Sequence, residues 1–124
     1  MKKDYRVTPW EVKGDIDYGK LIKEFGVKQI DENLLARLKK HTGDIHYFLK
    51  RKIFFAHTYF DAILDHVEKK EKFYLYTGRA PSGPVHLGHL VPWIFCKWLQ
   101  DKFDVNLLFQ IPDEEKFLFK EGLS

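Results

Sequence analysis

Apolar residues recur at helical spacing in the middle of the chain. Phe60, Ile63, Leu64 and Val67 follow an i, i+3, i+4, i+7 pattern, which predicts an amphipathic helix over 58–69. Thr58 stands where an N-cap residue would accept the first free backbone N–H groups. We expect the apolar face of this helix to cover a sheet.

A strand, a long helix and a second strand follow. The apolar run over 73–77 and the run over 105–111 have the length and composition of buried strands. Between them lies one apolar helical stripe, made of Leu87, Leu90, Val91, Ile94, Phe95, Trp98 and Leu99. This order predicts a right-handed βαβ unit with parallel strands. Pro92 lies inside the helix, so we expect a slight bend there.

The first seventy residues give a mostly helical pattern with one short β segment. The run over 7–12 contains a proline and is expected at an edge or in a hairpin. Helices are predicted from Asp17 to Phe25, before Gly26, and from Asp31 to His41, before Gly43. A third, short helix is expected over 44–50. We find no internal repeat or low-complexity tract.

Composition narrows the class of protein. With 124 residues, 44% of them apolar and 16% aromatic, the chain can bury one core. It has no apolar window long enough to cross a membrane, no secretory signal and a single cysteine, so we expect a protein of the reducing cytoplasm. The net charge of +3 does not by itself indicate nucleic-acid binding. The basic clusters at 39–40, 50–52 and 69–70 fit a solvated surface.

The most informative segment is the loop over 77–84 and the helix start that follows it. His86 and His89 are three residues apart, so they share one helix face with the free N–H groups and the positive end of the dipole. Gly88 between them leaves room for a flat ring near the backbone. This pattern favours ATP as the ligand. Two alternatives are an ordinary helix start and a metal site, although no third ligand has zinc-like spacing.

A second segment is expected at the same place. In βαβ units, ligands bind at the carboxyl ends of the strands. The segments 77–83 and 110–115 both follow predicted strands. We therefore expect them to meet in one crevice.

These residues carry a resemblance to a known family. The motif segment resembles the HIGH motif of class I aminoacyl-tRNA synthetases and consists of Pro81, Ser82, Gly83, Pro84, Val85, His86, Leu87, Gly88 and His89. The wider sequence resembles the tryptophanyl-tRNA synthetases of the archaeal and eukaryotic type. The matching segments are 74–79, 97–101 and 115–120, together with 9–10, 16–18, 20–22 and 53–57 nearer the N-terminus. The resemblance therefore covers nearly the whole chain.

The resemblance implies a tryptophan–tRNA ligase. Tryptophan and ATP, as its Mg²⁺ complex, would form tryptophanyl-adenylate, and the tryptophanyl group would pass to tRNA(Trp). His86, His89 and Arg79 would be the catalytic residues, with Arg79 pairing with the α-phosphate. The implied ATP-binding residues are Thr77, Gly78, Arg79, Pro81, Ser82, Gly83, His86, Gly88 and His89. The resemblance implies no permanent cofactor and no bound metal.

For the amino acid, the resemblance implies three residues. Tyr76 and Gln110 would accept a hydrogen bond from the indole N–H, and Glu115 would meet the α-ammonium group. Without the family context, Tyr76 is an ordinary strand aromatic and Gln110 a polar residue at a strand end. Glu115 has the alternative of a charge at a helix start.

Two positions depart from the family pattern. Pro112 stands where members usually have a threonine, so a hydroxyl and a backbone donor are missing beside the expected pocket. Ala80 stands where many members have glycine, and it is tolerable only with a negative φ.

The largest departure is length. The resemblance implies a helical appendage over 1–70 and the first part of a Rossmann domain over 71–124, about the first third of the enzyme. Members continue through a mobile Lys-Met-Ser-Lys-Ser-like loop and an anticodon-binding domain, and they form homodimers. A complementing fragment, a non-catalytic nucleotide-binding module and a tyrosyl-tRNA synthetase are the alternatives. A sheet without its later strands would expose an apolar edge and lower stability.

Overall fold

The fold alternates short strands with helices. A computed structural model describes residues 6, 7, 12, 13, 17–81, 83–114 and 118. Its elements are β1 (Arg6–Val7), β2 (Val12–Lys13), α1 (Tyr18–Glu24), β3 (Lys28–Gln29), α2 (Glu32–Thr42), α3 (Tyr47–Lys50), β4 (Ala56–His57), α4 (Phe60–Glu68), β5 (Tyr74–Gly78), α5 (Leu87–Phe103) and β6 (Asn106–Gln110). This is the α/β fold expected from the sequence. No helix in these ranges is both long enough and apolar enough to span a membrane.

The strands form three separate pairs. β1 and β2 are antiparallel, with Val7 opposite Val12, which confirms the hairpin alternative for the extended run. The residues between these two strands lie outside the described ranges. β3 pairs with β4, also antiparallel, and only β5 and β6 are parallel.

The first two helices begin and end as the sequence predicts. The Asp17 carboxylate accepts from the backbone N–H groups of Gly19 at 3.0 Å and Lys20 at 3.2 Å. The Asp31 carboxylate accepts from Leu34 N–H at 2.8 Å. After α2, Gly43 takes a φ of 79°, a left-handed conformation that glycine adopts without a Cβ clash.

The prediction for the start of α4 was wrong in one detail. Thr58 does not cap the helix. Tyr59 is the N-cap in the left-handed conformation and makes no side-chain cap bond. His57 Nδ1 accepts instead from Phe60 N–H at 3.0 Å. An imidazole nitrogen can supply the same acceptor as a hydroxyl, and spacing alone does not distinguish the two.

The core is built from helices, which corrects a second expectation. Leu34 and Leu38 of α2, Leu49 of α3 and Leu64 of α4 form one buried cluster. The apolar face of α4 thus packs on α2 and α3 rather than on a sheet. The inner face of α5 closes the cluster through Phe95, Trp98 and Phe103. The helical residues supply enough leucine at helical spacing to bury α4 without the strands.

The predicted βαβ unit is present. Tyr74 pairs with Asn106 and Gly78 with Gln110, and the strands run parallel. Their bounds differ from the predicted ones by one residue at each end. α5 continues through Pro92 from residue 87 to residue 103; the bend there remains a prediction.

The two faces of the β5–β6 sheet have different surroundings. Successive side chains of a strand point to opposite faces. On one face, Leu75 and Thr77 are half-buried, and the Phe109 ring lies 5.1 Å from the Trp93 ring of α5, measured between centroids. Tyr74, Tyr76 and Leu108 are on the other face and are exposed. The sheet therefore has one face against α5 and one open face.

Candidate active site

The start of α5 is held by a reciprocal hydrogen-bond pair. His86 Nδ1 accepts from Gly88 N–H at 3.1 Å, and His89 Nδ1 accepts from His86 N–H, also at 3.1 Å. This is a capping box in which histidines replace the usual serine and glutamate. The two rings lie 3.7 Å apart between centroids and are tilted by 30°. The sequence prediction of two histidines on one helix face is confirmed.

The capping hydrogen bond determines which ring nitrogen of neutral His86 carries the proton. Because Nδ1 accepts from Gly88 N–H, the neutral ring carries its proton on Nε2. The His86 side chain is exposed, so this Nε2–H is free to donate to a ligand in front of the helix. The site therefore presents a hydrogen-bond donor beside the positive end of the helix dipole.

Arg79 spans the loop between β5 and α5. Its Nη2 donates to the carbonyls of Gly83 at 2.6 Å and Pro84 at 3.1 Å. Its Nε donates to His89 Nε2 at 3.2 Å. The backbone of Arg79 is fixed too, since its N–H donates to the Gln110 carbonyl at 3.0 Å. One guanidinium thus links the loop, the helix start and the end of β6.

His89 faces donors at both ring nitrogens. Partial burial, His86 and Arg79 all lower the pKa of His89 below its ordinary value of 6.5, so the ring is neutral at pH 7. A neutral imidazole has one lone-pair nitrogen, and it accepts from only one of His86 N–H and Arg79 Nε–H at a time.

Two glycines lie where an added Cβ would meet close neighbours. A Cβ at Gly88 would lie 3.0 Å from the His86 ring, so this glycine leaves room for the capping imidazole as well as for a ligand. A Cβ at Gly78 would lie 2.5 Å from the Gln110 carbonyl oxygen, closer than real contacts allow. Gly78 therefore permits the close pairing of β5 with β6 at their carboxyl ends.

The first residues of the two predicted crevice segments lie side by side, while the crevice itself stays a prediction. Gly78 and Gln110 are register partners, so the loop after β5 and the segment after β6 leave the sheet side by side. Tyr76 and Gln110 share the open face, diagonal to each other and about 8 Å apart between Cα atoms by strand geometry. Arg79 contacts the helix start on the other side. Thus the residues expected to bind ATP and those expected to bind the amino acid surround the same strand ends from two faces.

Some sequence expectations concern positions outside the described ranges. Ser82 and Glu115 fall there, and their roles stay predictions. Ala80 meets its condition, because the non-glycine residues with positive φ in the described part are Lys52, Tyr59, Lys70 and Asp104. Pro112 is the central residue of a turn in which Asp113 N–H donates to the Ile111 carbonyl at 3.0 Å.

One neighbour of the site was not singled out from the sequence. The Trp93 ring stacks on His89, with 6.2 Å between centroids and 20° between planes. Its edge-to-face contact with Phe109 connects the histidine to β6. The signal was present, since Trp93 follows His89 by four residues and such pairs meet on a helix. Within the described residues, no group of three His, Cys, Asp or Glu side chains could hold a metal ion.

Comparison with known proteins shows what this chain is similar to. Residues 68–114 match the family of class I tRNA synthetases for W and Y. A tryptophan–tRNA ligase from Pyrococcus furiosus is 52% identical, over 100% of this chain and 32% of its own length. One from Sulfolobus acidocaldarius is 53% identical, over 95% of this chain and 31% of its own.

Solved structures give the same result. Plasmodium falciparum tryptophanyl-tRNA synthetase has a TM-score of 0.82 and 49% identity, covering 88% of this chain and 31% of that one. The Encephalitozoon cuniculi enzyme bound to tryptophan has a TM-score of 0.78 and 46% identity, covering 85% of this chain and 32% of that one. The chain spans about a third of the length of the curated relatives that it matches. Over residues 68–114 the chain is therefore similar to the class I tRNA synthetases for W and Y, and over nearly its whole length to tryptophan–tRNA ligases.

Proposed function

We propose that this chain supplies the ATP- and tryptophan-binding part of a tryptophan–tRNA ligase. The observation that carries the proposal is the convergence of Arg79, His86 and His89 at the start of α5, directly beside the paired strand ends at Gly78 and Gln110. The relatives named as tryptophan–tRNA ligases are about 50% identical over nearly the whole chain, which supports the same activity.

In the proposed first step, a tryptophan carboxylate oxygen attacks the α-phosphorus of Mg-ATP. A new P–O bond forms, the bond to the β-phosphate oxygen breaks, and pyrophosphate leaves with the electron pair. The chain supplies positioning and charge stabilisation. Arg79 turns from the Gly83 and Pro84 carbonyls to the α-phosphate, and the Nε2–H groups of His86 and His89 donate to phosphoryl oxygens.

For the amino acid, the Tyr76 hydroxyl and the Gln110 amide oxygen accept from the indole N–H. Both residues lie on the open face of the sheet. Tyrosine does not place a donor where the indole N–H lies, so it leaves these acceptors unpaired and is disfavoured. In the second step the tryptophanyl group passes to tRNA(Trp), and this step involves the whole enzyme.

Ligand-dependent thermal stabilisation tests the proposal. A ligand that binds only the folded state raises the melting temperature. Tryptophan is expected to do so and tyrosine not, and ATP with Mg²⁺ is expected to act independently of tryptophan. Tyr76→Phe should abolish the tryptophan effect and keep the ATP effect, while Arg79→Met should do the reverse. Tyr74→Phe is the matched control, because Tyr74 is equally exposed on the same face, two residues earlier.

Each result has a plain meaning. Stabilisation by tyrosine but not tryptophan would assign the chain to the tyrosine branch of the family. Stabilisation by ATP alone would reduce it to a nucleotide-binding module. A Tyr74→Phe variant as impaired as Tyr76→Phe would remove the specific role of Tyr76.

The proposal extends to the wider context of the chain. The enzyme acts in the cytoplasm as a homodimer, with residues 1–70 as an appendage and 71–124 as the start of the Rossmann domain. The exposed apolar side chains of α5, Leu87, Leu90 and Ile94, support a protein partner on that side. Sedimentation of the purified protein across a concentration series measures the association.

A further inference from the structure

A cleft of about 670 Å³ lies in the helical region, away from the candidate active site. One wall is the face of α2 that carries Glu32, Leu35, Ala36 and Lys39, at i, i+3, i+4 and i+7. The opposite wall comes from α3 and the segment after it. Among the residues of that wall, Lys50 and Lys52 stand beside the half-buried rings of Phe54 and Phe55.

The cations of this cleft differ from the others in the helical region. Lys28 pairs with Asp61, Arg37 with Asp65 and Glu68, and Lys102 with Asp44. By contrast, no carboxylate of the described chain lies within ion-pair distance of Lys39, Lys50 or Lys52. Lys50 is near enough to Asp44 to help lower the pKa of that carboxyl, but Asp44 pairs with Lys102 at 2.6 Å.

The charge in the cleft is divided along its length. Asp31 and Glu32 lie at the start of α2, and Asp31 is occupied in capping the helix. Lys39 is seven residues further on, about 10 Å along the axis. Lys40 and Arg51, next in sequence to Lys39 and Lys50, are exposed as well. The lining of the cleft therefore combines three lysines, apolar and aromatic side chains, and the acceptors Glu32 and Gln29.

We propose that this cleft binds a single strand of RNA. Phosphates would lie at Lys39, Lys50 and Lys52, bases would pack on the exposed parts of Phe54 and Phe55, and Glu32 would accept from an exocyclic amino group. Unpaired lysines beside aromatic rings fit a strand of alternating phosphate and base better than a purely apolar or purely anionic ligand. The inference rests on the proposed function only for its class of partner, an RNA.

The test is a fluorescence anisotropy titration of the full chain with a labelled oligocytidylate at several salt concentrations. The triple variant K39S/K50S/K52S is expected to bind at least ten times more weakly. Its slope of log affinity against log salt should fall by about 2, since each phosphate contact on a single strand contributes about 0.7. The charge-preserving variant K39R/K50R/K52R should keep most of the binding and shows that the cleft tolerates substitution.

The control is K69S/K70S/K72S, which removes the same charge from exposed lysines beyond α4. It should bind the RNA as the unchanged protein does. The inference would be overturned if K39S/K50S/K52S had the same RNA affinity and salt slope as the unchanged protein. It would also be overturned if the control variant lost as much affinity as K39S/K50S/K52S. Thermal stabilisation by ATP and tryptophan, measured on the same samples, separates this outcome from failure of the proposed function, because those ligands bind at α5 and the sheet.

Discussion

The helical region and the βαβ unit differ in where their most buried and most exposed large side chains lie. Leu38 and Leu64 are 0% exposed in the helical core, and ion pairs between Arg37 and the carboxylates of Asp65 and Glu68 tie α2 to α4. In the βαβ unit, Leu87 is 81% and Tyr76 62% exposed. The two fully buried leucines thus lie in the helical region, whereas the βαβ unit leaves several of its large apolar side chains exposed.

This difference separates stability from recognition. Burial of leucine is a main source of folding free energy, so we expect the helical cluster to carry most of the stability of this chain. The candidate active site depends on groups that keep unused hydrogen-bonding capacity, such as the exposed His86 and Gln110. Exposed apolar and aromatic groups beside them are typical of a surface that binds ligands or further protein.

The largest expected effect is on the core. Leu38→Ala should lower the free energy of unfolding by about 2–5 kcal/mol, because it removes a fully buried side chain and leaves a cavity. Leu87→Ala should change it by less than about 0.5 kcal/mol. Urea unfolding measures both. Equal effects of the two substitutions would show that the two regions do not differ in this way.

A smaller effect is expected where the strands approach each other. Gly78→Ala places a Cβ about 2.5 Å from the Gln110 carbonyl oxygen and should cost about 1–3 kcal/mol of unfolding free energy. Gly19→Ala is the control, since its Cβ would have an ordinary 3.4 Å contact inside α1, and it should stabilise by up to about 1 kcal/mol. If Gly78→Ala is neutral in denaturant titration, the tight strand pairing is not required for the fold.

His46 makes the stability of the helical region depend on pH. This side chain is 7% exposed among Phe95, Trp98 and Phe48, and burial lowers its pKa below 6.5. The folded state therefore binds fewer protons than the unfolded state. The contribution of neutral, buried His46 to the free energy of unfolding is complete above pH about 6.5. It is lost as the pH falls through the pKa of His46 in the folded state.

His46→Asn tests this directly. Its side-chain oxygen can replace Nδ1 as the acceptor for Phe48 N–H, now at 3.1 Å, but it does not titrate. Unfolding free energies between pH 7.5 and pH 5 should fall less steeply for the variant. Some slope should remain, because the pKa of His89 is lowered as well. Identical slopes would assign the acid sensitivity to other groups.

The smallest effect is expected at the surface ion pairs of the helical region. Arg37→Met removes the contacts with Asp65 at 2.6 Å and Glu68 at 3.0 Å. Exposed pairs contribute little and are screened by salt, so the midpoint of thermal unfolding should fall slightly in low salt and match the unchanged protein at high salt. A large loss that persists in high salt would mean that Arg37 acts through packing.

Much of the candidate site followed from sequence because its determinants are local. A histidine pair three apart and glycines at a turn have one geometric meaning at a helix start, and the capping bonds of His86 and His89 realise it. The Arg79 contacts with Gly83, Pro84 and His89 could not be deduced, since a long side chain selects its partners only after the loop has folded. Trp93 was predictable only as a helix neighbour.

The partner of α4 shows the same limit in the fold. Residues 60–67 alone predict the apolar stripe of α4 and its approximate bounds. This is because the helical pattern depends only on residues three or four positions apart. Residues 60–67 do not determine which element the stripe packs against, because the hydrophobic effect is non-directional and any leucine-rich face can bury it. Here α2 and α3 cover it, and His57 replaces Thr58 at its start.

By itself, the sequence determined the helices, the βαβ order and the histidine pair at the start of α5. These features depend on residue spacing, helix capping and short sequence motifs, which involve only residues close together in the chain. Only the tertiary structure decided that Tyr76 and Gln110 share the open face while Arg79 contacts the other side. It also decided that one cleft is lined by Lys39, Lys50 and Lys52, which have no ion pair with another described residue. Burial and charge pairing depend on which distant segments meet, and that is settled by the packing of the whole chain.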